Sequence, residues 1–136
     1  MIRDIAGDDV PWVLSLAHQR YPSFDPGVAL IALTKAMRLP TALAWRTDHG
    51  FLIASIINSV WWPKRLACEV MAVCVEEGHH WCAVELLRAS VDWARVYGCQ
   101  RWLVNSDTKH AIGPLAERVG AKLAQIYEID LTEAAQ

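Results

Sequence analysis

A carboxylate stands inside the most continuous apolar strand pattern of the sequence. Glu69 interrupts the segment 66–75, whose other nine residues are apolar. A carboxyl group among apolar neighbours has a raised pKa, which suits a general base that takes a proton from an amine. A glutamate at the solvent-facing edge of a strand, paired with Lys64 or Arg65, fits the same pattern. Both interpretations stay open at this point.

The segment that follows could bind an anion through its backbone. Residues 76–80 have the composition of a loop, and an apolar stripe then predicts a helix from Trp81 to Tyr97, ended by Gly98. The first N–H groups of a helix have no intrahelical acceptor, so they can bind a pyrophosphate. A plain strand-to-helix connection has the same spacing, and the spacing alone does not distinguish the two.

The histidines and cysteines show no metal-ligand spacing, and we predict no metal site. His79 and His80 stand in the loop, where either ring could donate to a phosphate, and His110 follows a predicted strand that ends at Asn105. The four cysteines are predicted to be small buried side chains of a protein in a reducing compartment. We therefore expect a cytoplasmic protein.

Length and charge narrow the class of protein. The 136 residues fit one domain, which we expect to span residues 1–131, with residues 132–136 as a frayed tail. The net charge is −2, and Lys64-Arg65 is the densest basic cluster, which argues against binding to a nucleic-acid backbone by charge. The sequence predicts neither a signal peptide nor a membrane span.

Apolar periodicity and turn residues predict an α/β (α+β) fold with a mixed central sheet, in the order β-α-α-β-β-β-α-β-α-β. The parallel strand–helix–strand unit in the second half places a ligand at residues 73–83. The predicted elements are strand 2–5, a helix capped by Asp8 or Asp9, helix 26–39 capped by Asp25, the hairpin 41–46 and 51–60, strand 66–75, helix 81–97, strand 101–105, helix 111–119 and strand 121–131.

Several of these segments resemble the GNAT superfamily of N-acetyltransferases. The strand 69–75, its loop and the helix start with Leu86-Leu87 are similar to the family's central motif, an apolar strand, then Gln/Arg-x-x-Gly-x-Gly/Ala, then a helix with a leucine pair. The segment 115–121 resembles the family's second helix. The resemblance covers nearly the whole chain and is strongest to short, divergent members from phages and prophages.

This resemblance implies binding of acetyl-CoA or another acyl-CoA and direct acetyl transfer to a primary amine. Glu69 stands four residues before Val73, the spacing of the base in the histone-acetyltransferase branch, and a backbone N–H near Val73 is the implied oxyanion donor. The cofactor-binding residues that the resemblance implies are Met71, Val73, Val75, Gly78, His79, His80, Trp81, Cys82, Ala83 and Asn105.

The sequence departs from the family pattern at two places. Gly78 stands where the family has Gln or Arg, and Trp81 stands where it has its central glycine, so only Ala83 matches the phosphate signature. The usual acid, a tyrosine in the second helix, is replaced by Ala116. Tyr127 is then the candidate acid, and His110 is a further candidate for proton transfer.

Two other functions remain compatible with the sequence. A base-modifying enzyme acting on nucleic acid would need a basic aromatic surface, for which Trp61-Trp62 and Lys64-Arg65 are the candidates. A non-catalytic domain that only binds a partner would explain the missing tyrosine and the altered loop. The same tryptophan pair could instead form a homodimer contact.

Overall fold

The computed structural model describes residues 1–58, 66–104, 112–123 and 131. Its strands are β1 (Arg3–Asp4), β2 (Ala42–Arg46), β3 (Gly50–Asn58), β4 (Leu66–Val75) and β5 (Arg101–Val104). Its helices are α1 (Val10–Arg20), α2 (Pro26–Arg38), α3 (His80–Tyr97) and α4 (Ile112–Arg118), and a short 3-10 turn, Gly7–Asp9, precedes α1.

The final predicted strand, 121–131, lies mostly outside the described residues. The described residues at its two ends, 121–123 and Leu131, are not in a strand. The preceding elements follow the predicted order, and their bounds agree with the sequence patterns to within one or two residues.

The described strands form one mixed sheet in the order β1-β2-β3-β4-β5. The first four strands are antiparallel neighbours, and β5 pairs with β4 in parallel. The predicted hairpin joins β2 to β3, with Arg46 opposite Phe51. The expected mixed sheet is therefore confirmed.

Helices cover both faces of the sheet, and neighbouring residues of β3 alternate between the two cores. Phe51 packs with residues of α1 and α2, whereas Leu52 packs with residues of α3 and α4. This alternation follows from the period of two along a strand. Leu86 and Leu87, the pair noted in the sequence, are fully buried under the second face.

Asp9 connects the first two strands to α1; it stands at the predicted N-cap position, but its side chain makes no capping bond to α1. Its carboxylate accepts from the guanidinium of Arg3 at 2.7 and 2.9 Å, from Arg46 at 2.9 Å and from the backbone N–H of Ala6 at 2.8 Å. Asp25, in contrast, caps α2 as predicted. The hydrogen bond from Arg3, before all other causes, holds the pKa of Asp9 well below its usual range.

We expect Asp9→Asn to lower the free energy of unfolding by about 2 kcal/mol at neutral pH, because hydrogen bonds between charged groups are lost. The folded-state pKa is depressed, so this stabilisation is present above the unfolded-state pKa of about 3.9 and is lost as the pH falls towards the folded value. Urea unfolding between about pH 7 and pH 2 measures the effect.

The matched control is Asp8→Asn, which neutralises an exposed neighbouring carboxylate. Asp8→Asn is expected to change stability by less than about 0.5 kcal/mol at any pH. An Asp9→Asn effect equal to that of the control, or one that stays constant down to acid pH, would contradict the assigned role of Asp9.

Candidate active site

β4 carries a β-bulge in its middle. Ile53 of β3 lies opposite Ala72 and the next residue, Ala54, lies opposite Val70, so Met71 has no partner on β3. A bulge takes backbone groups out of the ladder and redirects the side chain. The side chain of Met71 is accordingly 55% exposed. Met71 is thus the one exposed residue of a strand whose other residues are buried or half-buried.

The described pairing between β4 and β5 runs from Ala67 opposite Arg101 to Val70 opposite Val104, the last described residue of that segment. Among the described residues, the remaining part of β4, from Met71 onward, pairs with β3 alone. We call the side of Met71–Val75 that faces away from β3 the outer edge of β4.

A tight turn leads from β4 into α3. The backbone N–H of His79 donates to the carbonyl of Glu76 at 3.1 Å, and Gly78 has a φ of +82°. A positive φ at the third residue of such a turn favours glycine. No described atom lies within 4 Å of where a Cβ of Gly78 would stand, so the turn needs this glycine for its conformation and not for space.

The first turn of α3 presents its backbone between exposed side chains. His80 is exposed, and Trp81 is 66% exposed and extends away from the core. Cys82 is half-buried. Ala83 is buried, with 2% of its surface exposed. No acidic residue occurs in this turn, which leaves the positive end of the helix dipole uncompensated.

Glu69 lies two residues before the bulge. It is half-buried, and its neighbours across the sheet are Ser55 on β3 and Leu103 on β5. Strand geometry separates Glu69 and Met71 by about 7 Å along β4. The carboxylate thus stands at the start of the outer edge of β4, where a group bound along that edge would end.

Val73 and Val75 are the other two residues of β4 that were predicted to contact the cofactor, and they differ in how much of their surface a ligand could reach. Val73 is half-buried and packs against the core beneath α3. Val75 is buried, and its carbonyl accepts two hydrogen bonds from the guanidinium of Arg20, at 2.7 and 3.0 Å. Val75 therefore has little surface left for a ligand.

The structure brings together three residues that the sequence did not connect. The Nδ1 atom of His49 lies 3.2 Å from Oε2 of Glu76, and the rings of His49 and His79 stack with centroids 3.7 Å apart. Trp12 donates its indole N–H to the other carboxylate oxygen at 3.2 Å. These bonds, that of His49 first, lower the pKa of Glu76.

The antiparallel pairing of β3 with β4 is the signal that could have predicted this cluster. Antiparallel pairing sets Gly50, the first residue of β3, opposite Val75, the last residue of β4. The turn before β3 must then lie against the residues after β4. The spacing of the histidines in the sequence did not indicate that His49 and His79 lie together beside Glu76, and the absence of a metal site stays a prediction.

Several predicted site residues lie outside the described residues, namely Asn105, His110, Tyr127, Trp61, Trp62, Lys64 and Arg65. Ala116, at the position of the family's tyrosine, is buried in α4 and packs the core. The described residues therefore place the candidate base and the cofactor loop, and the identity of the acid stays a prediction.

No family model and no curated protein matches this sequence. Solved structures do match its fold. Aminoglycoside 6'-N-acetyltransferase AAC(6')-Ih from Acinetobacter baumannii superimposes with a TM-score of 0.76 and 15% identity, over 96% of each chain. AAC(6')-Iy in complex with a CoA bisubstrate analogue gives 0.77 and 15%, over 96% of this chain and 95% of that one.

A transcriptional regulator from Bacillus halodurans C-125 has the same fold, with a TM-score of 0.80 and 12% identity, over 96% of this chain and 97% of that one. The chain therefore has a GNAT-like fold, as the sequence predicted. At these identities the likeness establishes the fold alone. Separately, none of the described helices is long and apolar enough to cross a membrane.

Proposed function

We propose that this protein is an N-acyltransferase that moves an acetyl group from acetyl-CoA to a primary amine. The observation that carries the proposal is the bulged β4, whose outer edge leads through the Gly78 turn to the uncompensated N-terminus of α3. Neighbours of the same fold that were solved with CoA or a CoA analogue support it. A cytoplasmic location and a homodimer remain predictions.

The cofactor lies along β4 in this proposal. Its pyrophosphate binds the backbone N–H groups at the start of α3, around His80 and Trp81, where the helix dipole favours an anion. The pantetheine arm follows the outer edge of β4 and takes the place of a further strand. The thioester then reaches the bulge at Met71, and a backbone N–H there stabilises the oxyanion.

The chemistry needs one base and one oxyanion donor. Glu69 accepts a proton from the ammonium group of the acceptor, and the neutral amine attacks the thioester carbonyl. The tetrahedral intermediate loses the second proton of the attacking nitrogen to water and collapses with cleavage of the C–S bond, which gives the amide and the CoA thiolate. The thiolate takes a proton from water or from Tyr127. Placement of the amine against the thioester supplies the remaining acceleration.

Acetyl-CoA is expected to raise the melting temperature of the chain, because a ligand that binds only the folded state stabilises it by mass action. His80→Glu should weaken acetyl-CoA binding about tenfold, since its carboxylate repels the pyrophosphate. The same carboxylate should preserve or raise the stability of the unliganded protein, because an acidic residue is favourable at a helix N-terminus. Thermal shift and calorimetry measure both effects.

The matched control is His80→Gln, which removes the imidazole without adding charge and should bind acetyl-CoA within about threefold of the wild type. Equal loss in both variants would assign the effect to the histidine ring. The absence of any shift at millimolar acetyl-CoA would reject the proposed function and favour a non-catalytic domain.

Glu69→Gln is expected to lower turnover by about a hundredfold at neutral pH with the affinity for acetyl-CoA unchanged, because glutamine cannot accept the proton. Steady-state kinetics with an amine screen measures turnover, and calorimetry measures the affinity for acetyl-CoA. Glu117→Gln, an exposed change on α4, is the control. A loss of only a few-fold would contradict the role of Glu69.

A further inference from the structure

We propose that His49, Glu76 and His79 bind one transition-metal ion of the Zn²⁺ class. Their potential ligand atoms all lie within 4.8 Å of one another. Two imidazole nitrogens and one carboxylate oxygen form a donor set that suits Zn²⁺ and its neighbours in the first transition series. Mg²⁺ and Ca²⁺ prefer oxygen donors and are disfavoured by the two imidazoles. This site does not depend on the proposed acyl transfer.

Backbone hydrogen bonds already hold the three ligand residues together. The N–H of Glu76 donates to the carbonyl of His49 at 2.8 Å, and the N–H of His79 donates to the carbonyl of Glu76 at 3.1 Å. Each ligand residue is thus fixed to the next through its main chain. Ion binding would have to order side chains only, which reduces its entropic cost.

The carboxylate of Glu76 is also oriented from outside the cluster. Trp12 donates to Oε1 at 3.2 Å, so Oε2 is left facing His49. The indole is in turn held by the guanidinium of Arg46, which lies 3.7 Å from the ring centroid. Outer contacts of this kind fix the orientation of a metal ligand and contribute to its affinity.

One ring must turn when the ion binds. The imidazoles of His49 and His79 are nearly parallel, at 14°, and the lone pairs of parallel rings cannot both point at one ion. Tetrahedral Zn²⁺ places its ligand atoms about 3.3 Å apart. His49 and Glu76 already stand at 3.2 Å. His79 is half-buried and its side chain makes no capping bond to α3, so this ring is the one that turns.

The cluster is accessible from solvent. A surface depression lined in part by Trp12, Gln19 and Glu77 opens beside Glu76. The side chains of His49 and Glu76 are 44% and 38% exposed. An ion can therefore reach the ligands without opening the core, and its remaining coordination positions would carry water. Once bound, the ion would tie the β2–β3 turn to the turn before α3.

The test uses the untagged full chain after removal of metal by a chelator. Calorimetric titration with Zn²⁺ should give one ion per chain, and Co²⁺ should give the visible absorption of a low-coordinate site. His49→Ala and Glu76→Gln should each weaken Zn²⁺ binding about tenfold or more. His80→Ala, which removes the exposed histidine next to the cluster, should leave the affinity unchanged.

Equal Zn²⁺ affinity in His49→Ala and the wild type, or no stoichiometric binding by the wild type, would overturn the proposal. If His49→Ala fails to fold, the Zn²⁺ affinities of Glu76→Gln and His79→Ala test the proposal instead. Glu76→Gln preserves the size of the side chain, and His79→Ala changes a half-buried turn residue. The acetyl-CoA thermal shift, measured in the presence of chelator, reports on the transferase separately. Each of the two proposals can therefore fail without the other.

Discussion

β4 and β5 run in parallel, and two parallel neighbouring strands need a crossover between them. Here the crossover is α3, which returns over one face of the sheet and starts at the carboxyl end of β4. The turn with Gly78 and the exposed first residues of α3 follow from that path. Among the described residues, the pairing with β5 stops at Val70 and the bulge follows at Met71, so the outer edge of β4 leads to this helix start. The position of the helix start beside this edge is thus a consequence of strand direction.

A second set of contacts links the amino-terminal residues to the same turn. Asp9 ties β1 and β2 to α1, and Arg46 carries this link to Trp12 through a cation–π contact. Trp12 then reaches Glu76, directly after β4. These contacts run from β1, at the edge of the sheet, to the turn before α3. They lie on the face of the sheet that α1 and α2 cover. The ion pairs of Asp9 and the orientation of Glu76 therefore belong to one continuous network of contacts.

The sequence predicted elements well where side-chain periodicity determines them. The bounds of β4 are those predicted, because nine apolar residues in a run of ten favour a strand. α3 begins one residue before its predicted start, because its apolar stripe has the period of a helix. The bulge at Met71 was not predictable, since pairing register is a backbone property that alternation does not encode. The contact of His49 with Glu76 spans 27 residues and depends on that register. The ion pairs of Asp9 were not predictable from local sequence, because its partners Arg3 and Arg46 lie on separate strands.

In the proposed complex, acetyl-CoA lies along the outer edge of β4 with its pyrophosphate at the start of α3. Backbone amide shifts of the isotope-labelled chain, followed by NMR during titration with acetyl-CoA, report this placement residue by residue. We expect saturable changes that are largest at Met71, Gly78, His80 and Trp81, with small changes in α1 and α2. Changes centred on α1 and α2, or no saturable changes at all, would contradict it.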